Sequence, residues 1–104
     1  MTVQTARASS QIAGAKSVYL RAKVNGFQQD CLLDSGAEAS IMPGKVAVGL
    51  QLRSTSKKLK AANGTEIKVK GEATFPLIIG NYRTTIQAIV SDHVAEPMLG
   101  FDWM

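Results

Sequence analysis

Apolar and polar residues alternate along the middle of this chain in short stretches, which is typical of half-buried β-strands. In VYLRAKV, residues 18–24, every second residue is apolar and the residues between them are polar or aromatic. In TEIKVKG, residues 65–71, Ile67 and Val69 lie on one face and the charged residues on the other. Both stretches therefore predict strands with one face toward a core.

Three dipeptides that favour tight turns separate these stretches: Asn25-Gly26, Asn63-Gly64 and Gly80-Asn81. Asn-Gly accepts the positive backbone φ angles of a two-residue hairpin turn, and the flanking residues are rich in strand-forming types. No stretch has a long helical period, and residues 43–50 could form at most one short turn. The pattern predicts an all-β domain of about seven short strands, a sandwich or a small barrel with little helix.

The length of 104 residues fits a single domain with one modest core. Residues 1–16 lack apolar periodicity, so we expect a flexible N-terminal segment followed by a domain over residues 17–104. The apolar runs are too short to span a membrane. The single cysteine, Cys31, excludes an intrachain disulfide and favours a reducing compartment.

The net charge of +4 is concentrated in the lysines of residues 57–70. A nucleic-acid-binding β-barrel would need aromatic side chains on the same face, and only Phe75 and Tyr82 lie near in sequence, so no nucleic-acid partner is expected. The only histidine, His93, has no metal-ligand spacing, and neither a metal nor a cofactor is expected. Cys31 lies in an apolar run without a neighbouring histidine, which indicates a buried structural thiol.

In the stretch DCLLDSGAEASIMP, residues 30–43, a short apolar run is followed by a carboxylate, Asp34. Small residues that favour a turn come directly after it. Burying an isolated carboxylate is costly, so it needs compensation. Ser35 offers a hydroxyl, and Gly36 allows a tight turn. Taken alone, these residues fit either a strand-end aspartate that accepts hydrogen bonds from its turn or a functional carboxylate.

This stretch resembles the active-site loop of retropepsin-type aspartic proteases, in which Asp-Thr/Ser-Gly-Ala lies between two apolar strands. PMLGFDWM, residues 97–104, resembles the hydrophobic-hydrophobic-Gly-x-Asp/Asn motif of the same family. AANGTEIKVKG, residues 61–71, resembles the flap hairpin of the Ty3/gypsy-type long-terminal-repeat retrotransposon branch. The three elements occur in the family's order, and the chain is identified as a member closest to that branch.

The resemblance implies a retropepsin-like closed β-barrel with one lobe per chain. It implies a catalytic Asp34, supported by Ser35 and Gly36. In aspartic proteases as a class, two adjacent carboxylates share one proton and activate a water molecule. Because Asp-Ser-Gly occurs once here, the second Asp34 must come from a second chain, which implies a homodimer.

The family pattern also implies a set of substrate-binding residues along the groove beside Asp34 and at the flap tip. They are Ala37, Glu38, Ile41, Asn63, Gly64 and Met98. The residues alone equally allow core packing for Ile41 and Met98 and a plain hairpin turn for Asn63-Gly64. The expected substrate is a peptide, and the expected role is processing of a retroelement polyprotein in the cytoplasm or in retroelement-derived particles.

Two departures from the family pattern bear on this expectation. Phe101 stands where retroviral members carry an arginine, which removes an ion pair that retrotransposon-type members also lack. The sequence ends at Met104, before the family's C-terminal helix and strand, so we expect a fragment of a longer polyprotein or a weak dimer. The alternative reading is a catalytically weak or inactive module of the same fold that dimerises or holds peptides.

Overall fold

The structure, a computed structural model, describes residues 3–5, 18–34, 39–61 and 63–100. These residues form nine β-strands: β1 (Val3–Thr5), β2 (Val18–Val24), β3 (Phe27–Leu33), β4 (Ile41–Pro43), β5 (Lys58–Lys60), β6 (Glu66–Ile67), β7 (Gly71–Ile79), β8 (Tyr82–Ser91) and β9 (Met98–Leu99). A 3₁₀ turn, Gly44–Val46, follows β4, within the residues 43–50 that the sequence allowed to form one short turn. The all-β prediction is confirmed, and the strands outnumber the expected seven because the pattern did not predict the short strands β1 and β9.

Six strands close into a barrel in the order β2-β3-β9-β4-β8-β7, with β7 pairing back onto β2. Two of the predicted hairpins build most of its wall. Asn25 and Gly26 join β2 to β3 with φ angles of 51° and 83°, the positive values that the Asn-Gly pair favours. Gly80 and Asn81 join β7 to β8, the longest pair in the fold. In the described ranges, no helix is long and apolar enough to cross a bilayer.

The third predicted hairpin, β5–β6, lies outside the barrel. Its turn includes Asn63 and Gly64 as expected, but the connection is wider than two residues. The Ala61 N–H donates to the Thr65 carbonyl oxygen at 2.8 Å, and the Asn63 Oδ1 accepts from the Thr65 N–H at 2.9 Å. Strand β1, which the sequence pattern did not predict, pairs in parallel with β5 and completes a small sheet in the order β1-β5-β6.

Two apolar clusters pack against the barrel strands, one on the inner face and one on the outer face. The inner cluster, which includes the fully buried Phe75 and Leu77, lies within the barrel. The outer cluster lies between the barrel and the small sheet, and its buried members are Leu32, Ala39, Ile41, Leu59, Ile89 and Met98. Since side chains alternate along a strand, β3, β4, β8 and β9 contribute to both clusters, which explains their unbroken apolar runs.

Candidate active site

Asp34 lies directly after β3 and remains joined to the barrel wall. Strand β3 runs parallel to β9, with Leu32 opposite Met98 and Leu33 opposite Leu99. The backbone N–H of Leu32 donates to the Pro97 carbonyl oxygen at 2.9 Å, and that of Asp34 donates to the Leu99 carbonyl oxygen at 3.0 Å. The predicted buried strand ending on an acid is therefore confirmed, and the C-terminal motif PMLG fixes the backbone of that acid.

The Asp34 side chain belongs to the wall face that the small sheet covers. Asp34 follows Leu32 by two positions, so the alternation of the strand directs both side chains to the same face. Leu32 is a member of the outer cluster, and Asp34 itself is only 3% exposed. A carboxyl group at this place is thus held at the edge of an apolar layer, beneath a hairpin.

Ile41 and Met98, both expected to bind substrate, lie in the same layer as Leu32. They are paired across β4 and β9, and both are buried in the outer cluster. Leu59 of β5 is also a member of this outer cluster, and Ile67 of β6 packs against the cluster. The structure therefore brings Ile41 and Met98 to the face that carries Asp34, and in this chain the β5–β6 hairpin covers them.

Ser40 is a site residue that the sequence analysis did not single out. It is fully buried, and its Oγ accepts a hydrogen bond from the Gly100 N–H at 3.1 Å. Its carbonyl oxygen accepts from the Ile89 N–H at 3.0 Å. Ser40 thus ties the start of β4 to both neighbouring strands. A serine inside the apolar run ASIMP is the signal that could have revealed it, because a buried hydroxyl requires partners.

The remaining predicted site residues divide into two groups. Ser35, Gly36, Ala37 and Glu38 lie outside the described residues. Asn63 and Gly64 are exposed at the tip of the β5–β6 hairpin, where the Gly64 N–H donates to the Ala61 carbonyl oxygen at 2.9 Å.

Glu72 anchors one leg of the hairpin, residues 53–57 before β5, to the barrel. Its carboxylate accepts a hydrogen bond from the Thr55 hydroxyl at 2.5 Å and lies 3.4 Å from the Lys57 ammonium. The Thr55 hydrogen bond and the Lys57 charge hold the pKa of the Glu72 carboxyl below its usual value, against the opposite effect of burial. The backbones of Arg53 and Glu72 also exchange two hydrogen bonds, at 2.7 and 2.8 Å.

Ser91 anchors the other leg, residues 68–70 after β6. It is fully buried at the end of β8, and its Oγ donates to the Lys68 carbonyl oxygen at 2.6 Å. The Lys70 N–H donates to the Val90 carbonyl oxygen at 2.8 Å, just before β7 begins. Both legs of the hairpin are therefore fixed to the barrel, whereas its far end extends beyond these anchors.

The hairpin and its legs carry most of the basic charge in the described part of the chain. Ion pairs neutralise part of it: Lys58 lies 3.9 Å from Glu66, and Lys70 lies 3.3 Å from Asp92. A groove of about 380 Å³ runs along this region, lined by Thr55, Ser56, Lys57, Lys58, Glu66, Ile67, Lys68 and Val69. This lining contains no aromatic residue, so the groove offers no stacking surface for nucleic-acid bases.

Cys31 is fully buried in the inner cluster, as predicted for a structural thiol. Burial, with smaller contributions from Asp30 and Glu96, raises the pKa of its thiol to about 11. A thiol of this kind is almost entirely protonated at neutral pH and is a poor nucleophile. His93 lies in an exposed turn after β8, which agrees with a loop histidine.

Solved protein structures share this fold. EIAV protease complexed with the inhibitor HBY-793 superposes with a TM-score of 0.70 at 15% identity, over 88% of each chain. The retroviral protease-like domain of Ddi1 from Leishmania major gives 0.63 at 18% identity, over 88% of this chain and 72% of that one. A retropepsin-like aspartic protease from Rickettsia conorii gives 0.61 at 19% identity, over 84% and 68%. No curated protein sequence matches the chain.

The closed barrel, with an aspartate held at the end of β3 beside β9, defines the retropepsin-like aspartic protease fold. Residues 20–104 match the family model described as "gag-polyprotein putative aspartyl protease". The match spans most of the sequence, and the chain belongs to this family.

Proposed function

We propose that this protein is an aspartic endopeptidase that acts as a homodimer and hydrolyses peptide bonds with a water held between two Asp34 carboxylates. The observation that carries the proposal is the position of Asp34, 3% exposed and hydrogen-bonded through its N–H to Leu99 in a retropepsin-like barrel. Asp-Ser-Gly occurs once in the sequence, so each chain supplies one carboxylate. A two-fold axis between two barrels would bring the pair together.

The two Asp34 carboxyl groups have different roles in the proposed reaction, one as general base and the other as general acid. Two like charges in contact do not both ionise, so the pair holds one proton and titrates as a unit. The ionised Asp34 takes a proton from the water, whose oxygen attacks the scissile carbonyl carbon. The protonated Asp34 donates to the carbonyl oxygen, and the resulting tetrahedral adduct breaks its C–N bond after the amine gains a proton. Cleavage should be favoured at acidic to neutral pH and should fade when both groups ionise.

The other site residues have supporting roles in this proposal. Ser35 would support the pair at the two-fold axis, and Gly36 would let the turn pass close to substrate. The groove residues are Ala37, Glu38, Ile41 and Met98, with Asn63 and Gly64 at the tip of the hairpin above. Since Leu59 covers Ile41 and Met98, the β5–β6 hairpin would have to lift before a peptide could reach them.

The natural substrate in this proposal is a retroelement polyprotein. The match to a gag-polyprotein protease family supports it, as does the resemblance of AANGTEIKVKG and GFDW to the Ty3/gypsy-type branch. Such a protease would work in the cytoplasm or inside retroelement-derived particles.

The test is an assay of an unstructured peptide library with wild type, Asp34→Asn and Asp30→Asn, with and without a pepstatin-type inhibitor. Asp30 provides a matched control because it is an exposed aspartate four positions away, paired with Arg21 at the surface. We expect cleavage by wild type and Asp30→Asn, none by Asp34→Asn, and nearly unchanged folding of all three. Specific cleavage should rise with enzyme concentration, since only a dimer has a complete site.

Cleavage that survives Asp34→Asn would remove this carboxylate from the mechanism. If wild type fails to cleave at concentrations where sedimentation finds a dimer, the protein is instead a peptide-holding or dimerisation module of the same fold.

A further inference from the structure

The β5–β6 hairpin has little backbone pairing of its own. Its two strands share two paired positions, Leu59 opposite Ile67 and Lys60 opposite Glu66. Strand β1 adds three paired positions on the other edge of β5: Val3 opposite Lys58, Gln4 opposite Leu59 and Thr5 opposite Lys60. An isolated two-stranded hairpin is marginally stable in water, so we expect the third strand to stabilise this one.

The pairing with β1 is centred on the residue that attaches the hairpin to the barrel. Leu59 is fully buried and packs in the outer cluster with Leu32, Ile41 and Met98. The same residue lies opposite Gln4 on one side and Ile67 on the other. Ordering the backbone at Leu59 therefore also orders the contact that covers the face carrying Asp34.

Without β1, the outer edge of β5 would expose unpaired N–H and C=O groups, which readily accept another extended segment. The described legs of the hairpin are fixed at Glu72 and Ser91, but these anchors lie outside β5 and β6. Strand β1 is thus the described element that pairs with the outer edge of β5 itself.

We infer that residues 3–5 act as an intramolecular strap, which adds a strand to the outer edge of β5 and holds the β5–β6 hairpin down over the Asp34 face. Strand addition depends on backbone hydrogen bonds, so a separate extended peptide with this sequence should take the place of the strap. The consequence for catalysis rests on the proposed function: the strap restrains the lifting that admits substrate, and loosening it speeds cleavage of long peptides.

The test uses the full chain with two prolines in the strap, Gln4→Pro/Thr5→Pro. In a parallel pair, alternate residues of a strand donate to the partner, so neighbouring prolines remove a donor in either register. The matched control, Ser9→Pro/Ser10→Pro, makes the same change outside β1. Hydrogen exchange is measured at the amides of residues 58–60, with β7 and β8 as internal references.

We expect exchange at residues 58–60 to accelerate roughly tenfold or more in the strap variant, because net backbone hydrogen bonds are lost there. The control and the β7–β8 amides should stay unchanged. Adding a peptide of residues 1–10, MTVQTARASS, to the strap variant should restore protection. The same peptide with proline at its fourth and fifth positions should not.

Unchanged exchange at residues 58–60 in the strap variant would overturn the inference, as would restoration by the proline-containing peptide. Where wild type cleaves peptides, equal cleavage by wild type and the strap variant would overturn the gating consequence. If exchange responds as expected but no variant cleaves peptides, the strap stands and the proposed catalytic function fails.

Discussion

The backbone N–H of Asp34 donates a hydrogen bond to the carbonyl oxygen of Leu99, across 3.0 Å. This bond joins the acid of the DSGA stretch to the C-terminal PMLG stretch, which are far apart in sequence. Because β9 also pairs with β4, it lies between the strand that enters the Asp34 turn and the strand that leaves it. The position of the carboxylate therefore depends on the packing of β9 as much as on its own turn.

Ser40 is expected to be important for the stability of this arrangement. In Ser40→Ala, the buried Gly100 N–H loses the Oγ that accepts its hydrogen bond. Leaving a buried donor unsatisfied costs about 1–3 kcal/mol, so the free energy of unfolding should fall by that order. Urea unfolding measures the change. Ser54→Ala, at an exposed position, is the matched control and should be nearly neutral; an equal effect of the two variants would contradict the role of Ser40.

Glu72 should make stability depend on pH through the base of the β5–β6 hairpin. Its pKa is lowered in the folded protein by the Thr55 hydrogen bond and by Lys57, so its contribution is present above the unfolded-state pKa and is lost as pH falls through the folded-state pKa. Glu72→Gln should cost about 1 kcal/mol near neutral pH and progressively less under acid conditions.

Urea unfolding of wild type and of Glu72→Gln across an acid-to-neutral pH series measures how the stability cost of the substitution changes with pH. Glu66→Gln serves as the comparison, because its 3.9 Å contact with Lys58 is on the surface and should contribute little. A cost for Glu72→Gln that does not change with pH would contradict the electrostatic explanation.

Cys31 should react slowly with thiol reagents in the folded protein. Its pKa of about 11 leaves little thiolate at neutral pH, and its side chain is fully buried. Modification should therefore require unfolding and should speed up greatly in denaturing urea. The exposed variant Ser56→Cys, made in a Cys31→Val background, should react quickly without urea. Rapid modification of native Cys31 would show that the inner cluster opens locally.

The local patterns of the sequence predict most of the barrel. Alternation and glycine turns account for β2, β3, β7 and β8, and the apolar run after the turn predicts β4. Strand β1 was not predicted, because Val3–Thr5 lacks periodicity and forms a strand through its pairing with β5, which is distant in sequence. Likewise, nothing in ASIMP reveals that the Ser40 hydroxyl meets Gly100, since that contact spans 60 residues.

The family resemblance predicted which residues belong to the candidate site, but it did not predict how these residues pack. Ile41 and Met98 could be named from their places in the motifs, but their burial beneath Leu59 depends on how the hairpin folds over the barrel. Period-two patterns describe each strand separately and say little about a wall that is buried on both faces.

The sharing of one site by two chains is tested most directly by mixing wild type with Asp34→Asn at fixed total concentration. Both should form the same dimers, since asparagine keeps the shape of the side chain. If each site needs the Asp34 of both chains, an equal mixture should retain about a quarter of the wild-type rate, because only wild-type pairs are active. A retained rate of about one half, as expected for chains that each carry a complete site, would contradict the shared pair of carboxylates.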